Sequence, residues 1–164
     1  MSTDAAHKSL WQTSEVIFGI PFLAAIALHL IVPLRLFRGF LTIVLIAAGV
    51  MFFIVGVVLI ILARREFARY GQYTDPGHST TNIVTTGVFS FSRNPLYLGV
   101  VSILIGIALA FNLVWVLVFL IPSLIACHYI LIAPEERYLT TKFGEEYRAY
   151  AASVRRWLGR RSQR

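Results

Sequence analysis

Apolar residues in this chain fall in long unbroken runs, without the strict alternation of a half-buried strand. The first run extends from about Val16 to Leu34 and the second from about Phe40 to Ala63. Each is close to the ~20 residues that cross a bilayer core as a helix. Pro21 stands near the start of the first run, where a helix tolerates it best. In the second, Gly49 and Gly56 share one face seven residues apart, and small residues there let another helix come close. A third run, from Leu96 to Ala133, is too long for one crossing and suits two short ones. Asn112, beside Phe111, is the natural turn of a tight hairpin with helices of roughly 16 and 21 residues. Pro122 is placed to kink the later of the two.

Two polar stretches break this pattern. Residues 64–94 carry the turn signals Gly71, Asp75-Pro76-Gly77 and Gly87. A segment this long without an apolar span is more than a connector, and long ordered loops carry function. After Pro134 the chain reads EERYLTTKFGEEYRAYAASVRRWLGRRSQR. The spacing predicts an amphipathic helix, a break at Phe143-Gly144, and a second amphipathic helix. Tyr147, Tyr150, Val154, Trp157 and Leu158 would share one face of that second helix. Arg155, Arg156, Arg160 and Arg161 suit contact with anionic lipid headgroups.

Composition fixes the class. Hydrophobic residues make up 57% of the 164, charged residues 14%, and the mean hydropathy is +0.73. A soluble domain could not hide so much apolar surface. The expected fold is an all-α integral membrane protein with four transmembrane helices: two N-terminal ones over 16–63, then a core over 64–158 that contains the hairpin and the C-terminal amphipathic helices. The net charge of +7 would point to nucleic acid in a soluble protein. Here the basic residues flank apolar spans, so membrane lipids and topology account for them. With four spans, thirteen of the fifteen basic residues share one side, leaving Arg35 and Arg38 opposite. That side, with both termini, is expected to be cytoplasmic. It also brings the loop and the tail together. The polar start lacks a signal-peptide cleavage pattern, so the first helix is expected to be retained. The single cysteine, Cys127, rules out an internal disulfide and a cysteine-based metal site.

Candidate chemistry clusters at the ends of the hairpin. In FSRNPLYLG, Asn94 reads as a helix N-cap, Pro95 as the first helical position, and Arg93 as a cation near that N-terminus. Arg93 would equally snorkel to headgroups. Glu135-Glu136 follows the fourth span. Acids favour a first helical turn, but two at a membrane boundary call for a partner, and the hairpin returns them to the side of Arg93. His29 and His128 lie inside apolar spans without a second ligand at metal spacing, and His78 follows a turn. No metal is expected.

Three blocks in order resemble the isoprenylcysteine carboxyl methyltransferase and phospholipid methyltransferase superfamily. They are Val84-x-x-Gly87 with Phe89; Arg93-x-Pro95-x-Tyr97-x-Gly99; and Glu135-Glu136-x-x-Leu139 with Phe143-Gly144-Glu145-Glu146-Tyr147 and Tyr150. The resemblance covers about residues 78–158. It implies binding of S-adenosylmethionine and transfer of its methyl group to a lipophilic, membrane-embedded acceptor: first an isoprenylcysteine-type carboxylate, second an aminophospholipid. It further implies that the backbone around Ile83, Val84 and Gly87 cradles the cofactor. Arg93, Glu135 and Glu136 would hold its amino acid end and serve catalysis, with Asn94 and Tyr97 lining the pocket. Two positions depart from the pattern: Asn94 stands where many members have His, and Val154-Arg155-Arg156 where Val-Pro-Arg is common. Sterol reductases, which use NADPH, look similar in their C-terminal region but call for more clustered basic residues than Arg93 alone. A small helical module without catalytic activity is the remaining alternative.

Overall fold

A computed structural model describes residues 14–35, 39–71 and 81–161. The turn signals Asp75-Pro76-Gly77, along with His78, Lys8, Arg38 and Arg164, lie outside the described residues. Those described are almost entirely helical, with no β-strand. Helix α1 is Ser14–Ile31 and α2 is Phe40–Arg69, six residues longer than its apolar run. Helix α3 is Pro95–Ala110 and α4 is Val114–Ala126. The turn between them holds Asn112 at φ +54, a left-handed conformation that asparagine tolerates better than most residues. Helix α4 continues through a π-helical stretch, Cys127–Ile132, into α5, Ala133–Phe143.

Among the described residues three helices are long and apolar enough to cross a membrane: Ser14–Ile31, Phe40–Arg69 and the continuous Val114–Phe143. Helix α3 is apolar but has only 16 residues. Of the four expected spans, three are therefore long enough to cross a membrane, and α3 falls short of that length. Pro122 lies inside α4, yet the helix departs from α geometry further on, just before Pro134. Pro134 cannot donate a backbone bond to Ile130, and its ring crowds that carbonyl, which a widened turn relieves.

Glycine sets the packing of α2 on α3. A Cβ built on Gly56 would lie 2.6 Å from the Gly99 carbonyl oxygen, and one on Gly106 would lie 2.7 Å from that of Gly49. The two backbones touch at both levels, which only residues without a side chain permit. Helix α1 packs on α4 through Ala25, Val116 and neighbouring apolar residues. Trp115 Nε1 donates to the Val32 carbonyl at 2.8 Å and ties the end of α1 to the start of α4.

Helix α6, Glu145–Ser153, follows the predicted break, with Gly144 at φ +55. The second amphipathic helix ends there, earlier than its spacing predicts. Val154 is extended and pairs with Arg160 across a turn containing Gly159 at φ +102. The cause is pairing with the loop: the Arg93 N–H donates to the Arg155 carbonyl at 3.1 Å, and the Gly159 N–H to the Phe91 carbonyl at 2.7 Å. These bonds need an open backbone, whereas a helix would keep its carbonyls for itself. Trp157 consequently packs with Ile17, Phe18 and Leu131, while Leu158 is exposed, so the two do not share a face.

Candidate active site

The end of α2, the loop before α3 and the helices after the hairpin gather at one end of the molecule. The loop closes with a short 3₁₀ turn, Gly87–Ser90, and Arg93 follows it. Pro95 opens α3 as its sequence predicts. Asn94 precedes it, but its side chain makes no cap bond. Instead Asn94 Nδ2 donates 3.0 Å to the Arg156 carbonyl, and its N–H donates 3.2 Å to Ser92 Oγ. The expected N-cap is thus a tie between loop and tail.

Arg93 meets one of the two expected carboxylates. Its Nη1 lies 2.9 Å from Glu136 Oε1 and donates 3.3 Å to the Tyr147 hydroxyl. Glu136 is also held by Arg156, whose Nε and Nη2 donate to Oε1 and Oε2 at 2.8 and 2.7 Å. That bidentate pair holds the Arg156 guanidinium ionisation above its ordinary value. Glu135 points elsewhere and does not join Arg93: its carboxylate accepts a bond from the Tyr97 hydroxyl at 3.4 Å. No lysine or arginine among the described residues forms an ion pair with it. Tyr97 in turn packs against the apolar cluster of Ile17, Phe18, Leu120 and Cys127.

Around the ion pairs lies a cavity of ≈ 370 Å³. It is lined by Arg93, Glu136, Thr140, Tyr147, Arg148 and Arg156, with Ala151, Ala152 and Arg161 completing the wall. Its lining is cationic, with four arginines where the sequence marked Arg93 alone, but Arg148 is paired with Glu145, and Arg93 and Arg156 share Glu136. Arg93 Nε is buried with no hydrogen-bond partner among the described residues. An orphaned charged donor is costly unless a ligand takes it up. Burial pushes the phenol ionisation of Tyr147 and Tyr150 upward, so both hydroxyls are neutral here, that of Tyr147 accepting from Arg93. Tyr150 donates to the Phe89 carbonyl at 2.8 Å and pins the loop to α6.

The other predicted site residues stand behind this cavity and do not line it. Ile83 packs with Tyr147, Tyr150 and Val154. Val84 is buried with Ala63, Val88 and Phe89 against α2. Gly87, at φ +56, leaves no room for a Cβ because Glu66 lies 2.7 Å from that position. Sequence reasoning missed two residues. Arg156 reads as one of four tail arginines, and nothing local marks it out. Glu66 carries a signal: it is the lone acid among Arg64, Arg65 and Arg69 at the end of an apolar run.

The family described as phospholipid methyltransferase matches residues 44–146, well over half of the chain. A 27-residue stretch is 67% identical to an uncharacterized protein of Haemophilus influenzae, covering 16% of this chain and 43% of that protein. The chain thus matches less than half the length of that relative. No solved structure matches it. The matched segment begins within α2 and ends within α6, so it spans the loop, Arg93, the hairpin and Glu136. With those elements assembled around one cationic cavity, the chain belongs to the phospholipid methyltransferase family.

Proposed function

We propose that the protein transfers a methyl group from S-adenosylmethionine to a lipophilic acceptor that reaches the site from the bilayer. The observation that carries this reading is the cluster Arg93–Glu136–Arg156 with Tyr147, in which Arg93 is buried and Arg156 reaches in from the exposed tail. Its donor set fits the amino acid end of the cofactor. Glu136 offers a carboxylate to an ammonium, and the unpartnered Nε of Arg93 offers a charge-assisted bond to a carboxylate. When bound, S-adenosylmethionine supplies a methyl group on a sulfonium, which is electrophilic enough to need no covalent help from the protein.

The residues of the chain then have three tasks. Arg93, fixed at Nη1 by Glu136 and Tyr147, orients its ligand through Nε without having to be ordered itself. Tyr147 and the tail turn at Arg156 form two sides of the site, whose charged contacts strengthen as a bound ligand displaces water from it. The apolar helices α1–α4 hold the acceptor at the level of the cluster, and the basic ends face the cytoplasm. An obvious catalytic His or Cys is not required. Between the two acceptor classes, Glu135 favours an amine headgroup: a carboxylate with no cationic partner among the described residues repels an anionic acceptor and attracts an ammonium.

The test uses purified protein in detergent. Calorimetry should detect S-adenosylmethionine binding, Arg93→Ala and Glu136→Ala should abolish it with the protein still folded, and NADPH should not bind. Radiolabelled methyl groups offered with lipid extracts should appear in an aminophospholipid fraction. Wild-type protein that binds NADPH and not S-adenosylmethionine would overturn the reading.

A further inference from the structure

Helix α2 ends in a face made of Ala63, Glu66, Phe67 and Tyr70, residues that recur every three or four positions. Ala63, Phe67 and Tyr70 pack with Val84, Val88 and Phe89 of the loop, and the Phe67 and Phe89 rings lie 4.9 Å apart. Within this apolar contact sits a carboxylate, Glu66, only 7% exposed. Its Oε2 accepts a 2.8 Å bond from the Thr86 hydroxyl, and Thr86 Oγ1 lies 3.2 Å from the Tyr70 hydroxyl. Its Oε1 accepts 2.8 Å from Arg69, a largely exposed side chain. The side chain also occupies the space beside Gly87 where a Cβ would stand. Burying an acid at such a contact costs free energy unless it makes bonds that fix something. What these bonds fix is the Thr86-Gly87 turn, at the base of the loop.

That turn leads directly to the cavity. From Gly87 the chain makes the 3₁₀ turn, where the Phe89 carbonyl takes the Tyr150 hydroxyl, and then reaches Ser92 and Arg93. Ile83, on the other side of the turn, backs Tyr147 and Tyr150. A shift at Thr86-Gly87 is therefore carried both to Arg93 and to the tyrosine wall. We propose that Glu66 is a positioning residue, which sets the place of Arg93 and Tyr147 by holding the Thr86-Gly87 turn against the end of α2. The proposal rests on the methyltransferase reading for the ligand that Arg93 and Tyr147 meet.

The experiment compares wild type, Glu66→Ala, Glu66→Gln, Thr86→Val and Arg69→Ala as full-length protein in detergent. Two quantities are read: the dissociation constant for S-adenosylmethionine by calorimetry, and amide hydrogen exchange of residues 84–92. Glu66→Ala should weaken binding at least tenfold and speed exchange in the loop by a similar factor. Glu66→Gln keeps an acceptor for Thr86 and should stay within threefold of wild type. Thr86→Val, which removes the donor with little change of shape, should fall between them. Arg69→Ala should stay within twofold, since the Arg69 side chain is itself largely exposed and, among the described residues, makes no bond to the Thr86-Gly87 turn. Where turnover is measurable, the cofactor KM should rise in Glu66→Ala with kcat at saturation nearly unchanged. General destabilisation would not produce that split, nor the recovery in Glu66→Gln. If Glu66→Ala does not fold, the comparison of Thr86→Val with wild type decides, and unchanged binding and exchange in it refute the proposal. Equal losses in Glu66→Ala and Glu66→Gln also refute it. Wild-type protein that fails to bind S-adenosylmethionine overturns the methyltransferase reading, and the proposal with it. Wild-type binding with an undiminished Glu66→Ala overturns the proposal alone.

Discussion

Glu136 is shared by two arginines whose geometry and burial argue in opposite directions, so measuring the two pairs separately tests which effect wins. Arg156 has the better geometry, with two bonds at 2.8 and 2.7 Å against one contact at 2.9 Å for Arg93. Arg93 has the better burial. Its side chain is 7% exposed and that of Arg156 is 44%, while Glu136 is at 17%. Exposed pairs couple by about 0.2–1 kcal/mol, because water screens them and two long side chains must be ordered. Stripping one partner from a buried pair costs about 3–5 kcal/mol, because a desolvated charge is left behind. Burial should therefore dominate. In double-mutant cycles with Glu136→Ala, Arg93→Met should couple by about 2–3 kcal/mol, discounted for the partial exposure of Glu136. Arg156→Met should couple by about 1 kcal/mol or less. The assay is unfolding in mixed detergent micelles, followed by far-UV circular dichroism at low and high salt. Salt should erode the Arg156 coupling and leave most of the Arg93 coupling. If Arg156 couples as strongly as Arg93, the ranking by burial is wrong.

Two further outcomes follow from the same structure. Gly56→Ala and Gly106→Ala should each destabilise by about 1–3 kcal/mol, because the new methyl would meet backbone at 2.6 and 2.7 Å. Gly19→Ala, with nothing within 4 Å, should be neutral or gain about 0.5–1 kcal/mol from helix propensity; the same unfolding assay checks all three. Burial raises the phenol ionisation of Tyr147 and Tyr150 in the folded state. Unfolded tyrosines release protons near pH 10, so the folded state binds more protons above that point and stability should fall as pH rises further. Denaturation midpoints between about pH 8 and 11 should show this fall, and Tyr147→Phe with Tyr150→Phe should flatten it; an unchanged slope refutes the assignment.

The architecture was legible because it follows from quantities that sequence carries directly. Apolar run lengths place α1, α2 and the hairpin; Asn112 marks the turn; Gly49 and Gly56 mark the face that meets α3. The gathering of loop and tail at one end follows from the return of the hairpin. What failed was the tail beyond Ser153. A helical spacing of Tyr147, Tyr150, Val154, Trp157 and Leu158 is real in the sequence, but backbone bonds from Arg93 and Gly159 outcompete helix formation after Val154. Spacing cannot register a competitor that arrives from sixty residues away. The same limit hid Arg156, whose partner Glu136 lies twenty residues earlier on α5, and turned Asn94 from a cap into a cross-tie.

The separation of Glu135 from Glu136 has a more general cause. Consecutive residues on a helix project about 100° apart, since 3.6 residues make a turn. Two adjacent carboxylates on α5 therefore cannot both point at Arg93 unless the helix breaks, and it does not. A paired acidic motif at such a place must divide its work. One acid faces the cationic cavity and is neutralised twice over by Arg93 and Arg156. The other faces α3 and meets the Tyr97 hydroxyl beside the apolar cluster around Ile17 and Phe18. A π-helical stretch, Cys127–Ile132, stands immediately before α5 and shifts the phase at which the chain enters it. Each residue added to a turn rotates everything after it, so one widened turn is enough to reassign the pair. On these grounds Glu135 and Glu136 have different tasks in the proposed reaction, Glu136 toward the cofactor and Glu135 toward the acceptor side.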